Sequence, residues 1–451
     1  MQQVIFLNQK INKNRNLMRI RPEILKKIQT QALDGCYIYK SGPGTQAMLA
    51  QTLLRKGENV VLVVPDQNTL EELKHLLDIL SASGNEAPFW EQEWVFFPSH
   101  PPKQNRPFEW AKRSAALFTL LESRKPTGVV LTLDNLVPYW PPHEVLGQEY
   151  LLLMKEEEFS PEELLEKAVV WGYERVSMVT RSGELSVRGD IFDIFPPGYD
   201  YPLRMEFFGE TLENIRQFTT ISQRSIGDLA EAILLPVSPT INQSRYIQER
   251  KEYWEHLWKI GELDKRTKTV LEHQSDTGEL SCWPGLSYRE SVPLKRWLPE
   301  DAFYLLVNAD QIRSGLEECV LAWKEFFAKE KLEDGADWPE DAIMQSVNGA
   351  RQTWLGHRQI HFVQMPFGER TKGFSLEEKR LRSFQDLFWK PEQRKRPWRS
   401  LVESLREWDR IKKQTILAFS GERSRDKFFK LMEGEDLKIR TRYNPDQNGI
   451  F

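Results

Sequence analysis

The first 150 residues alternate short apolar runs with amphipathic segments, and this alternation constrains the fold more than any other feature. Asn59 to Val64 reads NVVLVV, a continuous apolar run that is typical of a strand buried on both faces. The segment 67–80 then repeats leucine at helical spacing. Alternating strands and helices predict a parallel sheet covered by helices.

Between about residues 173 and 218 the pattern changes to short β-rich runs separated by turn signals such as Ser182-Gly183 and Gly209-Glu210. Runs of this length and spacing predict an antiparallel sheet. We therefore expect an inserted α+β domain and a further small α/β domain. The predicted organisation is 1–147, first part of an α/β module; 148–238, the inserted domain; 239–345, return of the module; 346–399, a linker; and 400–451, the small α/β domain.

The charge balance and the cysteine content exclude several classes of protein. Lys and Arg total 62 against 66 Asp and Glu, so the chain is not basic throughout, as a nucleic-acid coater would be. Cys36, Cys282 and Cys319 lie far apart, which favours neither a disulfide framework nor a zinc ribbon. No apolar run approaches the ~18 residues of a membrane span. We expect no membrane partner and a reducing, cytoplasmic location.

The turn after the first predicted strand has the position of a phosphate-binding loop but not its chemistry. Such a loop needs glycines, a Lys for the phosphates and a Ser or Thr for magnesium. The sequence reads Gly42-Pro43-Gly44-Thr45-Gln46, with Thr45 and Gln46 where the Lys and the hydroxyl residue would stand. The segment is a nucleotide site, a tight turn, or the relic of an ATP site. We favour the relic.

Other candidates for chemistry are weaker. Asp134 follows an apolar strand and either holds magnesium or caps the next helix, and we favour the cap. His357 and His361 are four residues apart, but Ile360 and Phe362 indicate a strand, where helical spacing has no meaning. No nucleophile motif or acidic metal cluster is present, so we predict no catalytic residue, no metal site and no cofactor.

A basic and aromatic cluster near the C-terminus either contacts nucleic-acid phosphates or forms a solvated linker and helix face. Interspersed acidic residues such as Glu403 and Glu407 weaken its field, and we favour the solvated face. The cluster comprises Arg394, Lys395, Arg396, Trp398, Arg399, Arg406, Arg410, Lys412 and Lys413.

The segment 203–208 carries the most informative alternation. As a strand it would place Leu203, Met205 and Phe207 on one face, and Arg204 and Phe208 on the other. Arginine and aromatic side chains on a polar surface are typical anchors of protein interfaces. Alternatively, a second layer covers this face.

The string GELSVRGDIFDIFP at 183–196, then RMEFFGE at 204–210, IRQF at 215–218 and SQRS at 222–225, resembles a signature of two bacterial repair proteins. These are the excision-repair factor UvrB and the transcription-repair coupling factor Mfd. The likeness extends in weaker form over about 30–340. UvrB keeps the loop lysine and the corresponding Mfd module has lost it, so Thr45 and Gln46 favour the N-terminal, UvrB-like region of the Mfd family.

This resemblance implies a degenerate RecA-like, P-loop NTPase-type sheet without ATPase activity, whose inserted domain binds UvrA. The family's two arginines and phenylalanine that contact UvrA match Arg188, Arg204 and Phe208. The resemblance also implies that RNA polymerase and double-stranded DNA bind full-length members through domains beyond Phe451, so we expect this chain to be a fragment. The alternative is an ATP-dependent DNA helicase or damage-binding enzyme like UvrB itself.

Overall fold

A computed structural model describes residues 22–32, 35–81, 88–102, 107–277, 283–364, 373–375, 399–411, 414–415, 417, 422–435, 437 and 449–450. The described residues fall into two compact units, one within 20–376 and one within 377–451. Both units mix helices and strands, which confirms the predicted α/β class.

The larger unit begins and ends with an α/β module that is interrupted by an inserted domain. Its first part contains α1 Pro22–Gln31, β1 Cys36–Tyr39, α2 Pro43–Arg55, β2 Asn59–Val64, α3 Gln67–Leu80, β3 Trp94–Phe97, α4 Pro107–Glu122, β4 Gly128–Thr132, β5 Tyr139–Trp140 and α5 His143–Gln148. The insert contains β6 Leu151–Met154, α6 Pro161–Val170, β7 Glu174–Arg175, β8 Glu184–Arg188, β9 Ile191–Ile194, β10 Leu203–Phe208, β11 Thr211–Phe218, β12 Ser225–Leu229 and β13 Glu231–Leu234.

The module then returns, and the smaller unit follows it. The return contains α7 Ser244–Lys259, α8 Lys265–Thr277, α9 Pro284–Ser287, β14 Val292–Pro293, β15 Ala302–Leu306, α10 Ala309–Asp334, α11 Glu340–Ile343, α12 Val347–Arg351, β16 Arg358–Val363 and β17 Phe374–Ser375. The smaller unit contains α13 Arg399–Arg410, β18 Gln414–Thr415, α14 Glu422–Met432 and β19 Gly449–Ile450. Among the described helices, none is both long and apolar enough to cross a membrane.

A seven-stranded parallel sheet forms the centre of the module, with the order β17-β1-β16-β15-β2-β4-β3. Its strands are buried on both faces, as β2 illustrates. Val60, Leu62 and Val64 pack into one hydrophobic cluster, and Val61 and Val63 pack into the cluster on the opposite face. The parallel sheet predicted from the NVVLVV run and its neighbours is confirmed.

The insert is built on a six-stranded sheet with the order β12-β11-β10-β9-β8-β7. All its neighbouring strands are antiparallel except β7 and β8, which pair in parallel. The first and last strands of the insert, β6 and β13, form a separate antiparallel ribbon. Helix α6 is capped by Ser160, whose side chain accepts a hydrogen bond from the Glu163 N–H, and it packs beside the core face of the sheet.

The structure differs from the predicted linker at 346–399. Strand β16 lies between β1 and β15 in the middle of the parallel sheet, and β17 pairs with the other side of β1. Arg358, Gln359 and His361 make this segment look polar, but Ile360 and Phe362 alternate with them and are buried. The module therefore extends beyond residue 345. Residues 365–372 and 376–398 of the predicted linker lie outside the described residues.

Candidate functional site

The outer face of the six-stranded sheet is ordered as rows of side chains across the strands. Asp193 lies opposite Arg204, Arg204 opposite Arg216, and Arg216 opposite Asp228. The neighbouring row, which includes Met205, belongs to the buried core. Because side chains alternate along β10, Arg204 and Phe208 share the face opposite the core, as the sequence predicts.

Arg204 is anchored on this face by a buried carboxylate. Its Nε and Nη2 lie 2.7 and 2.8 Å from the two oxygens of Asp193, whose side chain is only 1% exposed. The guanidinium also lies 4.6 Å from the centre of the Phe218 ring. The hydrogen bonds that the guanidinium donates to Asp193 raise the pKa of Arg204. The Arg204 side chain is 20% exposed, so only a small part of it contacts solvent.

Arg188 approaches the same carboxylate from the end of β8 but is held more loosely. Its Nη2 lies 3.5 Å from Asp193 Oδ2, and 57% of its side chain is exposed. The residue opposite it on β9 is Ile191, which is also exposed. Two arginines thus converge on one aspartate, and Arg188 is the more accessible of the two.

Phe208 ends β10 with its ring in solvent. Its residue is 76% exposed, so no second layer of the described structure covers it. The Phe207 N–H donates to the Asp190 carbonyl oxygen at 2.8 Å, and this bond fixes the strand end beside the β8–β9 turn. The turn passes through Gly189 at φ 58°, a conformation that suits glycine. Arg188, Ile191 and Phe208 therefore lie around one corner of the sheet.

Two residues of this face were missed by the sequence reasoning. Ile191 and Asp193 alternate with the buried Phe192 and Ile194. The string IFDIF contains the signal, because a buried period of two places its first and third residues on the outer face.

The predicted degenerate phosphate loop follows the carboxyl end of β1, and a hydrogen bond between two of its own residues holds it. The Gln46 side chain is buried, and its Nε2 donates to the Ser41 carbonyl oxygen at 3.1 Å. Gly42 caps α2 without a side-chain hydrogen bond, and Pro43 occupies the first turn. Gly44 is exposed and Thr45 is half-buried. The amide of Gln46 thus occupies the loop in which a hydroxyl residue would bind magnesium.

The Asp134 side chain links the end of β4 to the loop that follows β3. Its carboxylate accepts hydrogen bonds from the Ser99 and Thr132 hydroxyls and from the His100 N–H. The predicted helix cap is therefore wrong, because Asp134 lies inside the short turn 133–136 and its carboxylate instead holds the loop after β3. The two histidines also have separate surroundings: His361 stacks on Tyr37 with ring centroids 4.8 Å apart, and His357 packs on Tyr304.

The basic cluster is only partly covered by the described residues. Arg394, Lys395, Arg396, Trp398, Lys412 and Lys413 lie outside them. The remaining three arginines, Arg399, Arg406 and Arg410, form ion pairs with Glu403, Glu435 and Glu407. These pairs neutralise the positive charge of α13.

Comparison with known proteins matches the insert to one family. The family model of the UvrB interaction domain covers residues 151–239, from β6 to just beyond β13.

Curated relatives over longer stretches are transcription-repair-coupling factors. The Haemophilus influenzae protein is 25% identical over 289 residues, which is 63% of this chain and 24% of that protein. The Bacillus subtilis protein is 37% identical over 211 residues, 43% of this chain and 18% of that protein. The Myxococcus xanthus protein is 36% identical over 125 residues, 28% of this chain and 10% of that protein. The matches thus span a quarter or less of these relatives.

Proposed function

We propose, from the premise that this chain is a UvrB-like region of the transcription-repair-coupling factor type, that it recruits UvrA through its insert. The family match and the relatives support a role in coupling DNA repair to transcription. Recruitment of UvrA to stalled transcription, for nucleotide excision repair, is the specific function that we infer.

One observation carries the proposal: an exposed phenylalanine ring stands on the ordered outer face of a sheet that also presents two arginines. Interface hot spots are enriched in aromatic and arginine side chains, and they bind best when the free protein already holds them in place. The hydrogen bond between Phe207 and Asp190 fixes the backbone next to Phe208, and the Asp193 carboxylate fixes Arg204. Little ordering is therefore required when a partner docks.

The three residues have different roles in this proposal. Phe208 and Arg188 are exposed enough to contact UvrA directly. Arg204 exposes only a small part of its side chain to the partner. It also neutralises the buried Asp193 carboxylate, which would otherwise be an unpaired negative charge beneath the interface.

The module itself is proposed to be non-catalytic and to need no cofactor. The inward turn of Gln46 and the loss of one N–H at Pro43 support the interpretation of the loop as a relic. They argue against the alternative, a UvrB-like ATP-dependent helicase. RNA polymerase and double-stranded DNA are proposed partners of the longer family proteins, and the cytoplasm is the proposed location.

The test is a titration of the 451-residue chain with purified UvrA. Truncating an interface anchor costs about 2 kcal/mol or more, so Phe208→Ala should weaken binding at least about tenfold. Trp258→Ala, which removes an exposed aromatic side chain from α7 outside the insert, is the matched control and should bind like the wild type. Equal affinity of Phe208→Ala and the wild type would refute the site.

A further inference from the structure

The hairpin loop 219–224, between β11 and β12, presents an isoleucine to water. Ile221 is 98% exposed, more than any other large apolar residue recorded in the described structure. A single exposed apolar side chain is common on protein surfaces and by itself indicates nothing. The surroundings of this one distinguish it.

The loop is held in one conformation by its own hydrogen bonds. The Gln223 N–H donates to the Thr219 carbonyl oxygen at 2.8 Å, and the Thr219 N–H donates to the Arg224 carbonyl oxygen at 3.0 Å. The Gln223 side chain donates to the Thr220 carbonyl oxygen at 2.9 Å. Ile221 therefore projects from an ordered turn, and its burial by a partner would need little further ordering of the backbone.

This conformation has an energetic cost. Gln223 has a φ of 56°, a left-handed conformation that glycine or asparagine adopts more readily than glutamine. Its Oε1 is buried and has no hydrogen-bond partner among the described residues. Strained residues of this kind concentrate where a surface is shaped for binding.

The loop is continuous with the face described above. Arg204 Nη1 lies 3.5 Å from the Gln223 carbonyl oxygen, so the Arg204 guanidinium contacts the end of the loop. Phe208 lies four residues further along β10, roughly 13 Å from Arg204 at the usual rise per residue. Arg224, next to Gln223, is exposed, and the described residues place no carboxylate within ion-pair distance of it.

We propose that the loop 219–224 is a second contact of the UvrA-binding face, with Ile221 entering an apolar recess of UvrA and Arg224 meeting an acidic group at its border. This inference rests on the proposed function. The proposed interface then has two apolar anchors, Phe208 and Ile221, which lie on either side of Arg204.

The experiment titrates purified UvrA into the 451-residue chain and three variants, Ile221→Ala, Ile221→Leu and Phe208→Ala. Ile221→Ala removes apolar surface buried only in the complex, so it should weaken binding about tenfold. Ile221→Leu keeps the apolar volume and should bind within about threefold of the wild type. Ile79→Ala, which truncates an exposed isoleucine on α3, is the matched control and should bind like the wild type.

The outcomes separate the two proposals. If Ile221→Ala binds like the wild type while Phe208→Ala is weakened, the loop contact is refuted and the proposed function stands. If both variants bind like the wild type, the site at Phe208 and the loop contact are both refuted, and if the wild-type chain itself binds no UvrA, the proposed function fails. Urea unfolding of each variant checks the fold, and because both side chains are exposed the midpoints should not move.

Discussion

Removing Arg204 should destabilise the insert, because it leaves the Asp193 carboxylate buried without its main partner. Breaking a buried ion pair from one side costs about 3–5 kcal/mol. Two features reduce that cost here: Arg204 is partly exposed, and Arg188 lies 3.5 Å from the same carboxylate and can replace it in part. We expect Arg204→Ala to lower the free energy of unfolding by about 2–3 kcal/mol.

Urea unfolding followed by circular dichroism measures this effect. The double variant Asp193→Ala/Arg204→Ala removes both charges and should recover a large part of the loss, which a double-mutant cycle quantifies. Arg188→Ala is the control, and because that side chain is mostly exposed it should cost less than about 1 kcal/mol. If Arg204→Ala unfolds within about 0.5 kcal/mol of the wild type, Asp193 does not depend on Arg204 and this reasoning is wrong.

This result bears on the interface itself. Weaker UvrA binding by Arg204→Ala can arise from a disturbed sheet as well as from a lost contact. Phe208 has no comparable role in stabilising the sheet, because its ring is in solvent. Phe208→Ala is therefore the cleaner probe of the interface.

Two further predictions concern the α/β module. Burial against Trp110, Trp140 and Trp323, together with Arg113, lowers the pKa of His100 well below its ordinary 6.5, so the unfolded chain binds this proton more readily. The free energy of unfolding should therefore fall as pH drops below about 6.5, by up to about 2 kcal/mol at pH 5. In urea titrations at several pH values, His100→Phe should make the free energy of unfolding less dependent on pH. An unchanged pH dependence in that variant would contradict this role of His100. The chain should also hydrolyse no ATP with or without DNA, and measurable turnover would overturn the interpretation of Gly42 to Gln46 as a relic.

Local periodicity predicted the parts of the structure that depend on neighbours in sequence. The two-residue period of 203–208 predicted which side chains of β10 face outward, and the apolar run of β2 predicted a strand buried on both faces. The placement of β16 was not predictable, because Cys36 pairs with Ile360 across more than three hundred residues. No local pattern encodes such a pairing.

The site was predictable in its residues but not in its interactions. The sequence indicated Arg204 and Phe208 as outward-facing, but the carboxylate that anchors Arg204 lies on another strand. The exposure of Ile221 depends on a left-handed glutamine, which sequence propensity disfavours. The inward turn of Gln46 likewise depends on the fold of the loop around it.

Hydrogen exchange of the chain with and without purified UvrA tests the central claim most directly. Binding through the outer face of the insert predicts slower exchange at the exposed turns beside Arg188 and Phe208, with no change around the loop at Gly42 to Gln46. Protection confined to the α/β module, with the turns at 188–191 and 208–211 exchanging as fast as in the free chain, would contradict the account.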